Sequence, residues 1–544
     1  MANLSQQKRL RMLEFLQTIR EEHKNDDDVL AALSEIESEL NAKKYGLVWE
    51  QHEEAVDIQM RDNIPVFTEC TDKEITADTG GSYNFILEGD NLHSLRLLEK
   101  THTGRVDFIY IDPPYNTGNK DFIYDDTYVS VDDGYFHSKW LSFMAERLHS
   151  AKSLLSDEGI ILISIDDTEY ANLKLLCDDI FSERNFMGTF IWKSRQVVDS
   201  RNRTHISNDH EYILAYSQNI DFASLIGKEV SKDKYSNPDN DPRGIWMSNS
   251  ILGLANAEQR PNLHYDLVDP ATGIVYPCNP STGWRFSKET MAQKISEGRI
   301  LFPNKKNGRP REKKFFNEIS SKYTGLSTVL PDTVGYTLNG SREITQILGN
   351  RAFDFPKPVS LIQFLIAQCL NPNAIILDFF AGSGTTGHAI LKQNAEDSGH
   401  RSFILCTNNE NNICEEVTYE RIRKVIRGYG SVSGIPSNLK YYRTEFIPKN
   451  IDDISEALLS HIAEMIQLEH GVKIDGSNYL MVMSDDEADT LEQHWEEYPD
   501  MKALYISKNV LLTTKQNTLF RNVDIHIIPD DYFKFEMQEV GESW

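Results

Sequence analysis

The sequence predicts an α/β protein built on a Rossmann-like, doubly wound sheet, interrupted by an inserted domain and flanked by helical or α+β terminal appendages. Three observations predict it. Apolar runs of strand length alternate with amphipathic helix-length stretches from about residue 83, that rhythm stops between residues 190 and 340, and it resumes at AIILDFFAGSGTTGHAILKQ. At 544 residues the chain exceeds what one core holds, so two large domains with smaller pieces at the ends are expected.

Residues 1–55 read as an N-terminal helical arm. Leu10, Leu13, Leu16 and Ile19, then Leu30, Leu33, Ile36 and Leu40, mark two amphipathic helices on either side of the charged turn HKNDDD. Such an arm either docks a partner or packs on the body. Its first residues mix charge with apolar side chains and lack the unbroken apolar core of a secretion signal. No stretch approaches the roughly 20 apolar residues of a membrane helix, so a cytoplasmic protein without membrane contact is expected.

Residues 56–190 carry the first part of the sheet: YNFILEGDN, a helix over 91–100, the strand VDFIYIDPPY, the helix SKWLSFMAERLHSAKSLL and the strand GIILISIDD. Residues 191–340, rich in Gly, Pro, Asn and isolated aromatics, read as a separate inserted domain. Residues 341–440 supply the second part of the sheet, with the strand RSFILCTNNE and the helix VTYERIRKVIRGYG. Residues 441–544 are acidic, alternate helical and strand-like runs, and form an accessory domain.

A formal net charge of -27 argues against a polyanionic ligand, but the charge is unevenly spread. Residues 191–330 hold 20 Lys+Arg against 15 Asp+Glu, or +5, which leaves -32 for everything else. In the run NKKNGRPREKKFF, Lys305, Lys306, Arg309, Arg311, Lys313 and Lys314 are candidates for neutralising nucleic-acid phosphates, and arginines also read guanine edges. A solvated basic loop is the competing reading of each residue. The six cysteines are scattered without a CxxC pair or zinc-ligand spacing, so they are expected to be reduced thiols, mostly buried.

Asp112-Pro113-Pro114-Tyr115 stands where the apolar strand VDFIYI ends, the position at which open α/β sheets bind ligands. The exocyclic amine of adenine is a poor nucleophile because its lone pair is delocalised into the ring. Acceptors for its two protons pull that lone pair toward a methyl donor. Asp112 offers a carboxylate, the Pro113 carbonyl offers a second acceptor, and the prolines keep the turn rigid. Tyr115 offers a ring face to a base taken out of a duplex. A plain strand-ending turn is the alternative. Phe122 and Tyr124, in NTGNKDFIYDD, either wall the base pocket or pack the loop.

The second motif is Asp378-Phe379-Phe380-Ala381-Gly382-Ser383-Gly384-Thr385-Thr386, a buried strand running through a glycine turn into a helix. It lacks the lysine of a phosphate loop and the third glycine of the dinucleotide fingerprint. Both absences count against a dinucleotide or phosphate loop, which is the competing reading; a site for S-adenosyl-L-methionine (SAM) would use the loop for the methionine part of the ligand. Asp378, Phe380, Gly382, Ser383, Gly384 and Thr385 are the candidate cofactor residues. Glu410, ending the next strand, is placed for ribose hydroxyls or is a solvated carboxylate.

DPPYNTG preceding DFFAGSGTT, with FPKPVSLI upstream of the latter, resembles the β group of amino-methyltransferases, whose motif order is permuted. Within that group the chain resembles the modification (Mod) subunit of type III restriction-modification systems, at LEGDNLHSL, at ISNDHEYILAY and at EVGESW, although the middle of the insert matches no pattern. The resemblance implies a SAM-dependent methyltransferase sheet in permuted order, with a target recognition domain at 191–340. It implies a catalytic role for Asp112 through Tyr115, and SAM contacts by Phe380, Gly382 and Gly384. Lys357 and Pro358 would lie over the methionine moiety, and Asp90 and Asn91 of the GDN motif near the SAM adenine.

The activity implied is adenine-N6 methylation of double-stranded DNA by base flipping, with no metal needed for methyl transfer. The partners implied are a second copy of the chain and a separate helicase-nuclease restriction subunit, since neither a phosphate-loop lysine nor a nuclease motif is present here. Cytosine-N4 methylation, a non-catalytic DNA-specificity subunit, and methylation of protein or RNA are the alternatives. Asp at the first motif position favours adenine, because cytosine-N4 enzymes more often carry Ser there.

Overall fold

The computed structural model describes residues 11–541 except 14, 21–22, 25–26, 42–48, 79–80, 119–121, 125–126, 130–132, 201–202, 304, 306–307, 475 and 477. They fall into two compact units, one made of the residues up to 224 with those from 328 onward, the other of residues 225–327.

The larger unit is organised by a nine-stranded sheet. Its strands are β1 (Asn63–Glu69), β2 (Tyr83–Glu88), β3 (Val106–Ile111), β4 (Leu155–Ile165), β5 (Phe186–Lys193), β6 (His210–Ser217), β7 (Ile375–Asp378), β8 (Ser402–Thr407) and β9 (Asn438–Pro448). Their order is β1-β9-β2-β8-β7-β3-β4-β6-β5. The strands from β9 to β4 are parallel. β6 is antiparallel to β4, β5 to β6, and β1 to β9.

β2 lies between β9 and β8, and β7 lies between β8 and β3, so strands from before and after the smaller unit interleave. Neither segment completes the sheet alone. The central strands are buried along nearly their whole length, as in VDFIYI, because parallel strands covered on both faces need unbroken apolar runs. The helices that concern the site are α1 (Ala55–Asp62), α2 (Asn91–His102), α3 (Phe136–Leu154), α4 (Thr337–Leu348), α5 (Val359–Ile366), α6 (Thr385–Asp397) and α7 (Glu420–Arg427). α2 packs on α3, and α5 packs on α6.

The smaller unit is narrower than the 191–340 insert expected from composition. β5 ends at Lys193 and β6 covers 210–217, and both belong to the main sheet. They form an antiparallel pair with no intervening helix, so they break the β-α rhythm without leaving the domain. The 440/441 boundary likewise falls inside β9. Residues 225–327 build a three-stranded sheet from Trp246–Ser250, Arg311–Phe315 and Ile300–Leu301, beside a small core that includes Leu267, Tyr276 and Trp284.

Near the C-terminus, Tyr479–Val482, Ala503–Ser507 and Asp524–Ile528 form a parallel three-stranded sheet. Tyr505, Ile528, Tyr532 and Phe533 join the main core. In the N-terminal arm, Asp27–Asn41 is helical, and Leu10 lies outside the described residues. No helix among the described residues is long and apolar enough to cross a membrane. All six cysteines are free thiols, with Cys177, Cys369, Cys406 and Cys414 buried.

Candidate active site

A cavity of about 1700 Å³ opens beyond the carboxyl ends of β3, β7 and β8, entirely within the larger unit. Sites for one small ligand run to roughly 300–1,000 Å³, so this one has room for two. Asp112, Pro113, Pro114 and Tyr115 form one wall, and Phe380 and Gly382 form another.

At the first wall the chain leaves β3 directly into Asp112. The turn beyond it is held from below, because the Trp140 indole N–H donates to the Pro114 carbonyl at 2.7 Å. Asn116, at a φ of 58°, donates its side-chain amide to the buried Glu169 carboxylate at 2.6 Å. With the turn fixed, the Asp112 carboxylate is received by Lys357, whose ammonium donates to both oxygens at 2.8 Å. The same ammonium lies 2.9 Å from the Tyr115 hydroxyl and 3.2 Å from a Glu211 oxygen. The Tyr115 hydroxyl sits 2.8 Å from Asp112 and 3.0 Å from Glu211. Burial disfavours the Lys357 ammonium, but Asp112 and Glu211 together hold its pKa above the ordinary lysine value. Burial, reinforced by the same two carboxylates, raises the Tyr115 phenol well above its ordinary value.

Lys357 reaches this corner because Gly340 on α4 leaves room for it. A Cβ there would lie 2.1 Å from the Pro356 carbonyl oxygen and 2.9 Å from that of Lys357. Lys357 lines the cavity, and its ammonium sits on Asp112 and Tyr115. Pro358 is the N-cap of α5 and is not part of the cavity wall.

At the second wall, β7 ends in Asp378, whose carboxylate turns back into its own loop. It accepts from the Phe380 backbone N–H at 3.0 Å and from the Thr386 hydroxyl at 2.5 Å. Burial raises its pKa to about 7 against those two donors. Gly382 has a φ of 46°, and a Cβ on it would meet the Phe353 ring at 3.1 Å. Behind the loop the Arg421 guanidinium donates to Thr385 Oγ1 at 2.7 Å, to Ser383 Oγ at 3.1 Å and to the Ser383 carbonyl at 3.2 Å. Phe380 and Gly382 line the cavity. Asp378, Ser383, Gly384 and Thr385 do not reach its wall, since the three side chains are turned inward to hold the loop and Gly384 caps α6.

The far end of the cavity is bounded by Asp90, Asn91, Glu410 and the start of α1. The Asp90 carboxylate caps α2 by accepting from the Leu92 N–H at 2.8 Å. Asn91 is committed to the frame: its amide donates to the Phe379 carbonyl at 2.8 Å, and its oxygen accepts from Arg147 Nε at 2.5 Å. Arg147, fully buried, also donates to the two Glu54 oxygens at 2.7 and 3.1 Å and to Asp90 at 3.2 Å. Burial opposes its charge, and Asp90 and Glu54 more than offset it. This clamp ties the residue before α1 to the residue before α2. Phe122 is buried against Phe143, ring to ring at 5.1 Å, and lines the same cavity. Tyr124 lies in the two-residue strand Ile123–Tyr124, and its side chain is outside the described residues.

In the smaller unit the basic run divides. Lys305, Arg309, Arg311 and Lys314 are exposed, and Arg311 donates to Ser248 Oγ at 2.6 Å. Lys306 lies outside the described residues. Lys313, expected to face phosphate, is instead buried in ion pairs with Asp239 and with Asp241 at 2.9 Å, so its charge is used inside the unit.

A DNA methylase family model, covering the N6 and N4 methyltransferases, matches residues 106–419, the span that holds both walls. The chain belongs to this DNA methylase family. It is similar to the type II methyltransferase M.KpnI of Klebsiella pneumoniae, with 38% identity over 379 residues that cover 66% of this chain and 87% of that one. It is also 32% identical, over 421 residues, to the Mod subunit of the type III restriction-modification enzyme StyLTI of Salmonella typhimurium, covering 70% of this chain and 63% of that subunit. The EcoP15I Mod subunit of Escherichia coli is 27% identical over 75% of this chain and 70% of its own length. The chain thus spans less than two thirds of the StyLTI subunit.

Glu211, Glu54, Phe143 and Arg147 were not anticipated from the residues as parts of the site. Glu211 stands inside ISNDHEYILAY, one of the runs that carry the family resemblance, which gave this residue no role.

Proposed function

We propose that this chain is a DNA methyltransferase that moves the methyl group of SAM to the N6 amine of adenine in double-stranded DNA. The observation that carries the reading is that the Asp112-to-Tyr115 turn and the Phe380-to-Gly382 loop face one cavity with room for both a cofactor and an extruded base. The residues present fit SAM. Gly382 gives close backbone approach, Phe380 gives an apolar face, and Asp90 and Glu410 give acceptors for amine and hydroxyl protons. Bound there, SAM supplies an electrophilic methyl group on a sulfonium.

Everything else falls to the chain. Asp112 accepts one proton of the target amine in a hydrogen bond, the Pro113 carbonyl is the candidate for the other, and Tyr115 stacks on the base. Together they hold the nitrogen lone pair in line with the methyl carbon. A stacked aromatic contributes roughly 1–3 kcal/mol toward the cost of unstacking the base. No covalent attachment to the protein is required. Digestion of treated DNA to nucleosides, followed by mass spectrometry, tests the reading. N6-methyladenine is the expected product, and N4-methylcytosine alone would move the assignment to cytosine.

The smaller unit, with the exposed Lys305, Arg309, Arg311 and Lys314, is proposed as the target recognition domain. The likeness to Mod subunits supports a place in a type III restriction-modification system, as a dimer working with a helicase-nuclease subunit. The higher identity to M.KpnI, and the larger share of that protein's own length that this chain matches, favour a second reading, a free-standing methylase. Light scattering separates the two: a dimer on DNA supports the Mod reading, and a persistent monomer supports the other.

A further inference from the structure

Asp112 is the intended acceptor for the target amine, yet Lys357 binds both its oxygens at 2.8 Å. Charge-assisted hydrogen bonds are roughly twice as strong as neutral ones, so a neutral amino group does not displace this ammonium unaided. Nor does the ammonium leave for water. The Lys357 side chain is 9% exposed, and a buried charge left without its partner is strongly destabilising. Glu211 resolves the conflict. Its carboxylate is already 3.2 Å from the same ammonium and 3.0 Å from the Tyr115 hydroxyl.

We propose that Glu211 is a positioning residue for methyl transfer, taking over the Lys357 ammonium and the Tyr115 hydroxyl as the target amine engages Asp112. The proposal rests on the amino-methyltransferase reading above. In this exchange Asp112 trades a cation for the substrate, Lys357 remains paired throughout, and no bond to carbon is made or broken. The surroundings suit a short swing between two fixed carboxylates. Glu211 on β6 is in register with Trp192 on β5, whose indole N–H is anchored on the Gly335 carbonyl at 2.8 Å. The Trp192 ring stands 5.7 Å from the Lys357 ammonium, and the Tyr115 ring 5.0 Å from it. Cation and aromatic rings at these distances attract, which keeps the ammonium between its two acceptors.

The test compares wild type, Glu211→Gln, Glu211→Asp and the double variant Glu211→Gln with Lys357→Met, in single-turnover methyl transfer to duplex DNA and in SAM titration. Glu211→Gln keeps the volume and loses the charge. Its transfer rate is expected to fall about 10–100-fold, the equivalent of one hydrogen bond to a charged group, while SAM affinity stays within about twofold. Glu211→Asp is expected to recover part of the rate. The double variant is expected to transfer faster than Glu211→Gln alone, because removing the ammonium frees Asp112. A purely structural Glu211 would instead make the two losses add. Full activity in Glu211→Gln, or a double variant no faster than it, overturns the proposal alone. A wild-type chain that transfers no methyl overturns the reading beneath it, and the proposal with it.

Discussion

Two neighbouring strands of the sheet each lead to an aspartate, one just past the strand and one at its last position, and the two are used in opposite ways. β3 and β7 are parallel and paired, Phe108 with Ile376 and Ile109 with Leu377, and each delivers an aspartate to the cavity end of the sheet. Asp112 faces the cavity, where it meets a cation that comes from 245 residues further along the chain. Asp378 faces its own loop and is spent on a backbone N–H and a hydroxyl. The residues after each aspartate decide between the two. The two residues after Asp112 are prolines, which have no N–H to offer its carboxylate, and the carboxylate looks outward. Beyond Asp378 a glycine turn curls two donors back onto it. In the proposed mechanism the first carboxylate serves the chemistry, and the second braces the loop beside it.

The sharpest way to break this comparison is to remove each carboxylate in turn. Asp112→Ala is expected to cut transfer by about 10²–10³-fold or more, the scale seen for one preorganised electrostatic group, with DNA affinity within a few fold. Asp378→Ala is expected to cost stability, about 1–3 kcal/mol for each donor left unpaired, visible as a lower denaturation midpoint and a weaker SAM titration. If Asp378→Ala left stability untouched and abolished only transfer, the division of labour would be wrong.

Tyr115 sharpens the same point at smaller scale. Tyr115→Ala is expected to weaken capture of the extruded base by roughly 1–3 kcal/mol, read by fluorescence of a 2-aminopurine at the target position, whereas Tyr115→Phe keeps the ring and most of that binding.

The remaining expectation is one of pH. Asp378 has a pKa of about 7 in the folded chain against 3.8 as its ordinary value, so between these two values the folded state holds a proton that the unfolded state has lost. Stability from this group therefore falls as pH rises from about 4 to about 7, with a slope of up to about 1.4 kcal/mol per pH unit for one proton. Asp378→Asn, which cannot titrate, is expected to flatten that part of the profile in denaturant melts across the range. A variant profile parallel to wild type would show that Asp378 is not the titrating group.

Much of this was legible in the sequence because it is written locally. Apolar runs such as VDFIYI and AIILD mark central parallel strands, and the turns after them carry their own signatures. The illegible part depends on charges meeting across long separations. The Lys357 contact with Asp112, and the capture of Lys313 by Asp239 and Asp241, join residues that no periodicity connects. Asp378 looked like a ligand residue because its motif surrounds the loop, whereas the side chain points under it. The reading that opens the insert at residue 191 cuts through β5 and takes in β6 for a related reason, since antiparallel edge strands lack the helices that announce the rest of the sheet.

The most direct test of the catalytic assignment is single-turnover transfer of labelled methyl from SAM to duplex DNA by wild type and by Asp112→Ala, with SAM and DNA binding followed in parallel. N6-methyladenine is expected from wild type, and from the variant at a rate lower by about 10²–10³-fold or more, although the variant still binds both ligands. Transfer at an undiminished rate by Asp112→Ala would contradict the role given to that carboxylate.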